Sequence, residues 1–415
     1  MPGPNRRIRS RVQAAGAADC MLLYIHVPFC RKKCDYCAFF SLPLQEGKKG
    51  RSQVTGYLSS LLGELRFWGD RLCNSRGELR LESIFFGGGT PSLLPAKAVS
   101  GFLEQVRGIF TVPETAEITV EANPESALAE GWLFEARAAG VNRLSLGVQS
   151  FDDEQLTLLG RCHDSRTAEA AFHTARAAGF SNISLDFMWG LPGRDKRSQS
   201  QLEWLSQLRK AIELQPEHIS AYGLTLEPGS PLESSYEAGT LTLPPEQVLS
   251  SMYLAGADFL ESRGYMQYEI SNFAKMGFAC RHNLGYWEGE EYLGFGPGAT
   301  STLDGRRWTN SADIPAWQRD VGRKELGKNA EILDRPARLK ELLMLRLRMN
   351  KGLSFKEWKQ WSGRSFLKDH ESLVALLQQN GLASTRQGRF RLTRTGMLVS
   401  DTILAHFFER LEKAG

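Results

Sequence analysis

A repeated alternation governs what this chain can fold into. Short apolar runs rich in β-formers stand at residues 22–27, 83–86, 118–121, 143–148, 183–187 and 218–222. Between them lie amphipathic stretches at 54–68, 96–110, 126–139, 165–178 and 199–214, each ended near a Gly or Pro. A strand that reaches the next one through a helix returns in the same direction by a right-handed crossover, so the alternation predicts parallel strands with helices outside. Six such units are fewer than the eight of a closed barrel. The expected architecture is therefore α/β, an open partial (β/α)6 barrel whose gap admits a large substrate. In such barrels the working residues gather where strands end, and polar groups stand there: Glu121 in VEANPES, Gln149 in GVQSFD, Asp186 in SLDFMWGLPG, and GGGTPS after the second strand.

The pattern breaks after residue 224. From 225 to 308 the chain is irregular and rich in Gly and aromatics, with ISNFA, HNLGYW and YLGFGPGATS. Residues 225–328 read as a covering segment that completes the core domain begun at 21–224. Residues 329–415 turn helical again at 337–349, 355–361 and 366–380, followed by a strand pair around Gln387-Gly388 and a last helix. That order is a winged-helix-like α+β module. Winged helices bind DNA, dock proteins or act as lids, and fold does not choose among these. The net charge of +4 is small for 415 residues, and Arg6, Arg7, Arg9 and Arg11 hold part of the basic excess in the first dozen residues, so nucleic acid is not an expected partner. Residues 1–20 read as a disordered basic arm, with a mitochondrial presequence the alternative. No apolar run nears the roughly 20 residues that span a bilayer and no signal-peptide pattern opens the chain, so a cytoplasmic location is expected.

Seven cysteines, an odd number without a secretory signal, argue against a disulfide framework. Cys30, Cys34 and Cys37 fall within eight residues as CxxxCxxC, on a loop leaving the first strand, while the other four are scattered. A 4Fe-4S cube normally takes four thiolates, so three on one short loop leave one iron open to an exogenous ligand. A tetrahedral zinc completed by His26 or another residue is the rival reading, weakened by the lack of a second CxxC pair. Lys32 and Lys33 beside the loop would favour thiolate, or are simply solvated. The Gly87-Gly88-Gly89-Thr90-Pro91 turn lets backbone approach a ligand closely, although a glycine-rich turn is more often only a turn.

Taken in order, YIHVPFC, GGGTPS, VEANPE, GVQSFD, LGR, LDFMWGLPG, YEISNFA and HNxxYW make the chain resemble the HemN and HemW group of the radical S-adenosylmethionine (SAM) superfamily over nearly its whole length. The resemblance implies a 4Fe-4S cluster on Cys30, Cys34 and Cys37 whose open iron takes the amino and carboxylate groups of SAM. It implies SAM contacts at Tyr24, Gly88 and Glu121, and a second SAM-type pocket at Tyr36, Gly89, Thr90, Gln149, Arg161 and Asp186. Each also has a bland role: Glu121 capping a helix, Gln149 satisfying loop amides, Arg161 pairing with a surface carboxylate.

Two functions follow from the resemblance. In the coproporphyrinogen oxidases the motif continues to CxxxCxxCxC, whereas here Cys37-Ala38-Phe39 has the CxF form of the heme-chaperone branch. Phe39 can neither ligate nor donate a proton, and packing over the cluster suits it in either branch. The HNxxYW series from His282 to Trp287 makes His282 a candidate axial heme ligand, with a core histidine equally open and Cys280 a rival. The expected function is binding of heme, or a related porphyrin, and its delivery to an apo-acceptor such as a respiratory heme enzyme. The alternative is oxygen-independent coproporphyrinogen III oxidase, which decarboxylates propionates through a 5'-deoxyadenosyl radical. An electron donor of flavodoxin or ferredoxin type is implied if SAM is cleaved, and a peripheral membrane contact is a further expectation about partners.

Overall fold

The computed structural model describes residues 19–194 and 197–413, so the basic arm expected at the N-terminus lies almost wholly outside the described residues. Six strands, β1 (Asp19–Val27), β2 (Leu79–Gly88), β3 (Glu117–Ala122), β4 (Arg143–Gln149), β5 (Ile183–Trp189) and β6 (His218–Gly223), pair in chain order and all in parallel. Alternation within each strand sorts the residues onto two faces. Ile25 opposes Phe86, Ile84 opposes Ile118, Val120 opposes Leu144, Leu146 opposes Leu185 and Phe187 opposes Ala221, and all belong to one buried apolar core.

The helices that cover this face are α1 (Gly47–Arg76), α2 (Ala96–Ile109), α3 (Trp132–Ala138), α4 (Ser165–Ala177) and α5 (Gln201–Glu213). Each contributes an apolar stripe at helical spacing, for example Tyr57, Leu61, Leu65 and Trp68 on α1, or Trp204, Leu208 and Ala211 on α5. The starts of the last two are written in the sequence as side-chain caps. The Asp164 side chain accepts from Thr167 N at the head of α4, and Ser200 with Glu203 forms a reciprocal capping box on α5. The residues between the apolar ones, Tyr24, Phe85, Glu121, Ser145 and Asp186 among them, fall on the opposite, concave face.

The segment expected to cover the barrel also widens it. Asn272–Ala274 adds antiparallel to β6, with Met266–Glu269 beyond it. Tyr292–Phe295 adds parallel to β1 on the opposite edge, and Thr300–Leu303, Arg306–Thr309 and Glu331–Ile332 continue antiparallel from there, giving a sheet of 12 strands. The helix Arg281–Trp287 crosses between the two edges. These added strands run only two to four residues, too short for period-two alternation to show.

A buried carboxylate ties α1 to the added edge. Glu64 is wholly buried and accepts from Gly296 N at 2.7 Å, Asn310 Nδ2 at 2.7 Å and Trp317 Nε1 at 3.0 Å. Burial pushes its carboxyl up to about 8, and the three N–H donors pull the other way.

The C-terminal module has a separate core, including Leu343, Trp358, Phe366, Phe390 and Phe407. A three-stranded sheet, with Arg389–Leu392 between Leu353–Ser354 and Ala383–Arg386, packs with helices Arg335–Leu347, Phe355–Ser362 and Glu371–Gln379 and the terminal helix Ser400–Lys413. This is the winged-helix arrangement. Arg394 fastens it to the barrel through Asp258 and Glu261, and Arg346 Nη1 donates to Trp287 O at 3.0 Å.

Replacing Glu64 with Gln sets an amide NH2 against N–H donors, and we expect a loss of about 1–3 kcal/mol in unfolding free energy, read by urea denaturation at pH 9, where the carboxylate is ionised. Glu64→Ala, which leaves all three donors unpaired, should cost more than Glu64→Gln.

Candidate functional site

The three-cysteine loop is closed at its base. Leu42 N donates to Pro28 O and Leu44 N to Cys30 O, both at 2.8 Å, so Phe29–Cys30 and Leu42–Pro43 form a short parallel ladder and the residues between them loop out. Two outside contacts pin the excursion: Asp35 N donates to Leu159 O at 3.1 Å and Leu232 N to Asp35 O at 2.9 Å. Burial, with Cys34 and Cys30 nearby, pushes the Cys37 thiol up. Thr90 Oγ1 lies 3.6 Å from Cys30 Sγ and Arg161 Nη1 lies 3.4 Å from Cys34 Sγ.

A chain of hydrogen bonds joins those two thiols across the barrel mouth. Asn123 Nδ2 donates to Thr90 Oγ1 at 3.2 Å, while Arg161 Nη2 donates to Asn123 Oδ1 at 2.7 Å and to Gly147 O at 2.8 Å. Arg161 Nε is buried without a partner among the described residues. Arg161 therefore faces the thiols and the barrel mouth, not a surface carboxylate. Asn123, in the middle of VEANPE, was not singled out in the sequence; its signal was its position just past the end of β3.

The glycine turn serves the loop first. Gly89 N donates to Val27 O at 2.8 Å and Thr90 N to Phe29 O at 2.7 Å, and a Cβ on Gly89 would stand 2.5 Å from Phe29 O. Gly88 has φ +107°, its N–H donates to Glu121 Oε2 at 3.2 Å, and a Cβ there would strike the His26 imidazole at 2.7 Å. Burial, then the charge of Asp186, pushes the Glu121 carboxyl up to about 8. His26 Nε2 donates to Phe40 O at 2.8 Å, so Nδ1 accepts from Tyr24 OH at 3.1 Å. Burial holds His26 low, hence neutral. With both nitrogens engaged, His26 has none left for a metal, so a zinc on these cysteines would need another residue as its fourth ligand.

Asp186 accepts from Ser145, Ser184 and Ser220 at 2.8, 2.8 and 2.6 Å, deeper on the concave face and close enough to Glu121 to disfavour its ionisation. Gln149 adopts φ +65°, and its Nε2, Asn123 Oδ1 and Arg161 Nη2 all crowd the side of Gly147. Tyr36 packs on Leu159, Met188 and Leu191 beside Arg161, and burial pushes its phenol up. Phe39 is 69% exposed at the edge of the cysteine loop.

His282 is not brought to the rim. It is 2% exposed, stacked on Phe85 at 5.0 Å, met edge-on by Tyr286 at 4.7 Å, and hydrogen-bonded from Nδ1 to Ser83 Oγ at 2.7 Å. Burial, then Arg143 and Arg281, pushes it down to about 3. Its Nε2 lacks a partner among the described residues. Cys280 is buried too, its Sγ 3.3 Å from Glu117 Oε1.

Comparison with known proteins gives this geometry its context. The radical SAM superfamily pattern matches residues 24–204 and the HemN C-terminal domain pattern matches residues 333–399. Heme chaperone HemW of Bacillus subtilis is 33% identical over 390 residues, covering 94% of this chain and 99% of its own. The chain belongs to the HemW family of radical SAM proteins. HemW of Escherichia coli is 40% identical over 287 residues, 68% of this chain and 71% of that one. A bovine relative, radical S-adenosyl methionine domain-containing protein 1, mitochondrial, is 35% identical over 94% of this chain and 88% of its own. The structure of coproporphyrinogen III oxidase HemN from Escherichia coli superposes with a TM-score of 0.77 at 23% identity over 94% of this chain and 90% of that one, which establishes the shared fold.

Membership in the radical SAM superfamily implies a 4Fe-4S cluster and SAM, and the residues present fit them. Three thiols sit on one pinned loop, flanked by the Arg161 guanidinium, which favours thiolate and an anionic cluster. Among the described residues no three His, Cys, Asp or Glu groups converge closely enough for a single ion. A cube, whose thiolates bind different irons, asks for wider spacing than one ion does.

Replacing Cys30, Cys34 and Cys37 together by Ala should abolish iron content and cluster absorbance in anaerobically purified protein. Arg161→Ala and Asn123→Ala should each hasten loss of iron to a chelator. Because they share one hydrogen-bond chain, the double variant should fall short of the summed effects by about 0.5–3 kcal/mol in a double-mutant cycle.

Proposed function

We propose that this protein binds heme and passes it to apo-heme acceptor proteins, on a scaffold that also holds a 4Fe-4S cluster and SAM. The observation that carries this reading is the near end-to-end kinship with proteins named heme chaperone HemW, which spans the barrel, the added edge strands and the C-terminal module together. The absence of a cysteine at Phe39 agrees with it, because the residue two past Cys37 offers no thiol and turns to solvent. The acceptor is of the respiratory heme-enzyme class. A small flavin or iron-sulfur protein serves as donor if SAM is cleaved.

In this reading Cys30, Cys34 and Cys37 hold the cluster, while Glu121 and the Gly88 backbone, with Tyr24 beside them, hold the amino end of SAM. A bound cluster supplies one electron to the sulfonium when reduced. The protein's own part is positional: Tyr24 is oriented by neutral His26, and Glu121 is kept close to its neutral form until a ligand N–H reaches it. Tyr36, Gly89, Thr90, Gln149, Arg161 and Asp186 line the mouth beyond and are the residues that would border a second SAM-sized ligand.

Two measurements on anaerobically reconstituted protein separate the readings. Stoichiometric heme uptake without enzyme-like conversion of coproporphyrinogen III is the expected result, and turnover of that substrate with SAM and a reductant would replace the chaperone by the oxidase.

The Glu121 carboxyl yields a pH dependence. Its value near 8 lies above the ordinary one, so below pH 8 it is largely protonated and must ionise to accept a ligand N–H. SAM affinity should therefore rise by about tenfold from pH 6 to pH 7 through this group and level off above pH 8. Glu121→Gln should remove that increment while leaving the cluster in place, as read by equilibrium dialysis of SAM at each pH.

A further inference from the structure

The segment that carries the three cysteines also carries an exposed cationic surface that neither cluster nor SAM needs. Within residues 31–51 stand Arg31, Lys32, Lys33, Lys48, Lys49 and Arg51 against Asp35 and Glu46, a net charge of +4, as much as the whole 415-residue chain carries. All six cations are exposed, and none pairs with a carboxylate among the described residues. Elsewhere Arg76, Arg176, Arg281, Arg307 and Arg394 are all ion-paired.

The fold does not account for these cations. Lys48, Lys49 and Arg51 open α1, whose first turn has no acidic residue. The N-terminal end of a helix carries partial positive charge, so cations there work against the helix. Residues 1–18 add four arginines and no carboxylate, so they offer the surface no counterpart.

Apolar side chains stand between the two groups of cations. Phe39 is 69% exposed and Leu42 43%, with Pro43 exposed beside them. The ladder that pairs Phe29 with Leu42 and Cys30 with Pro43 sets them against the root of the cysteine loop. On their other side Gln45 N donates to the Gln53 side chain at 3.2 Å, and Gly50 lies against Gln45 O, so α1 begins next to them.

An apolar centre ringed by unpaired cations is the complement of an acidic protein surface. Such charge complementarity speeds encounter more than it tightens the complex, which suits a carrier that must leave after one electron. We propose that a small acidic electron-carrier protein docks on this face, with Phe39 and Leu42 at the centre and the six cations around them. The docked carrier gives one electron to the cluster and leaves oxidised by one electron. The surface deepens, and rests on, the reading that Cys30, Cys34 and Cys37 hold a redox-active cluster. An anionic membrane would meet the same charges, but the thiols in the same loop favour a redox protein.

The test uses full-length, cluster-loaded protein without oxygen and two small acidic probes, a flavodoxin and a plant-type ferredoxin. Binding is read by calorimetry at low and high salt, and electron transfer by stopped-flow bleaching of the cluster absorbance. Lys48→Glu, Lys49→Glu and Arg51→Glu combined lie outside the cysteine loop. Together they should weaken carrier binding and slow bleaching by about tenfold or more at low salt, with the difference shrinking at high salt. Dithionite, a small reductant that needs no docking surface, should bleach the triple variant at the wild-type rate. Phe39→Ser should weaken carrier binding while keeping its salt dependence. Wild-type affinity and bleaching rate in the folded triple variant would overturn the surface. So would loss of binding to phosphatidylglycerol vesicles in that variant with carrier binding intact, which gives the patch to a membrane. If dithionite reduces the wild-type cluster and neither carrier binds or reduces it, the surface falls and the cluster reading stands. If wild-type protein holds no cluster, that reading falls and the surface falls with it.

Discussion

The architecture of the site depends on two backbone hydrogen bonds, from Gly89 N to Val27 O and from Thr90 N to Phe29 O. They lock the end of β2 onto the root of the cysteine loop at a separation that leaves no space for a side chain at Gly89. Through them the loop inherits the rigidity of the parallel sheet. The Thr90 hydroxyl reaches Cys30 and Asn123, and Arg161 then closes the path to Cys34. A loop of ten or so residues with no regular structure is thus held by a sheet.

The electrostatics of the concave face follow from the same burial. Glu121 is held toward its neutral form, His26 and His282 are kept uncharged, and Asp186 is held by three serine hydroxyls. Arg161 presents its guanidinium directly to the Cys34 thiol. A face of this kind resists charged ligands that bring no hydrogen bonds of their own and accepts one whose polar groups meet these partners.

Much of this was legible in the residues. The six barrel strands announce themselves by apolar runs of four to six residues alternating with amphipathic helices, and the three cysteines by spacing alone. The edge strands did not, because segments such as Asn272–Ala274 and Tyr292–Phe295 are too short to carry a period and acquire their pairing only from neighbours distant in sequence. The glycines were read as room for a ligand, yet Gly88 and Gly89 make room for His26 and Phe29. His282 looked like a ligand because histidine beside aromatics suits heme. Its burial beneath Phe85 and Tyr286 depends on where the chain crosses the barrel, which no local pattern records. Phe39 was equally silent, since exposure is a property of packing.

The crossing of Arg281–Trp287 has a mechanical side. Residues 266–295 leave the sheet at the β6 edge and rejoin it at the β1 edge, so the gap that makes the barrel partial is bridged by one continuous stretch of chain. That bridge is riveted midway: Glu117 accepts the backbone N–H of Arg281 and of His282, and Arg281 pairs with Glu82 and Glu290. The two edges behave like the limbs of a spring clip joined by a bar. Spreading them would break these contacts, so the barrel is open in topology yet braced in width.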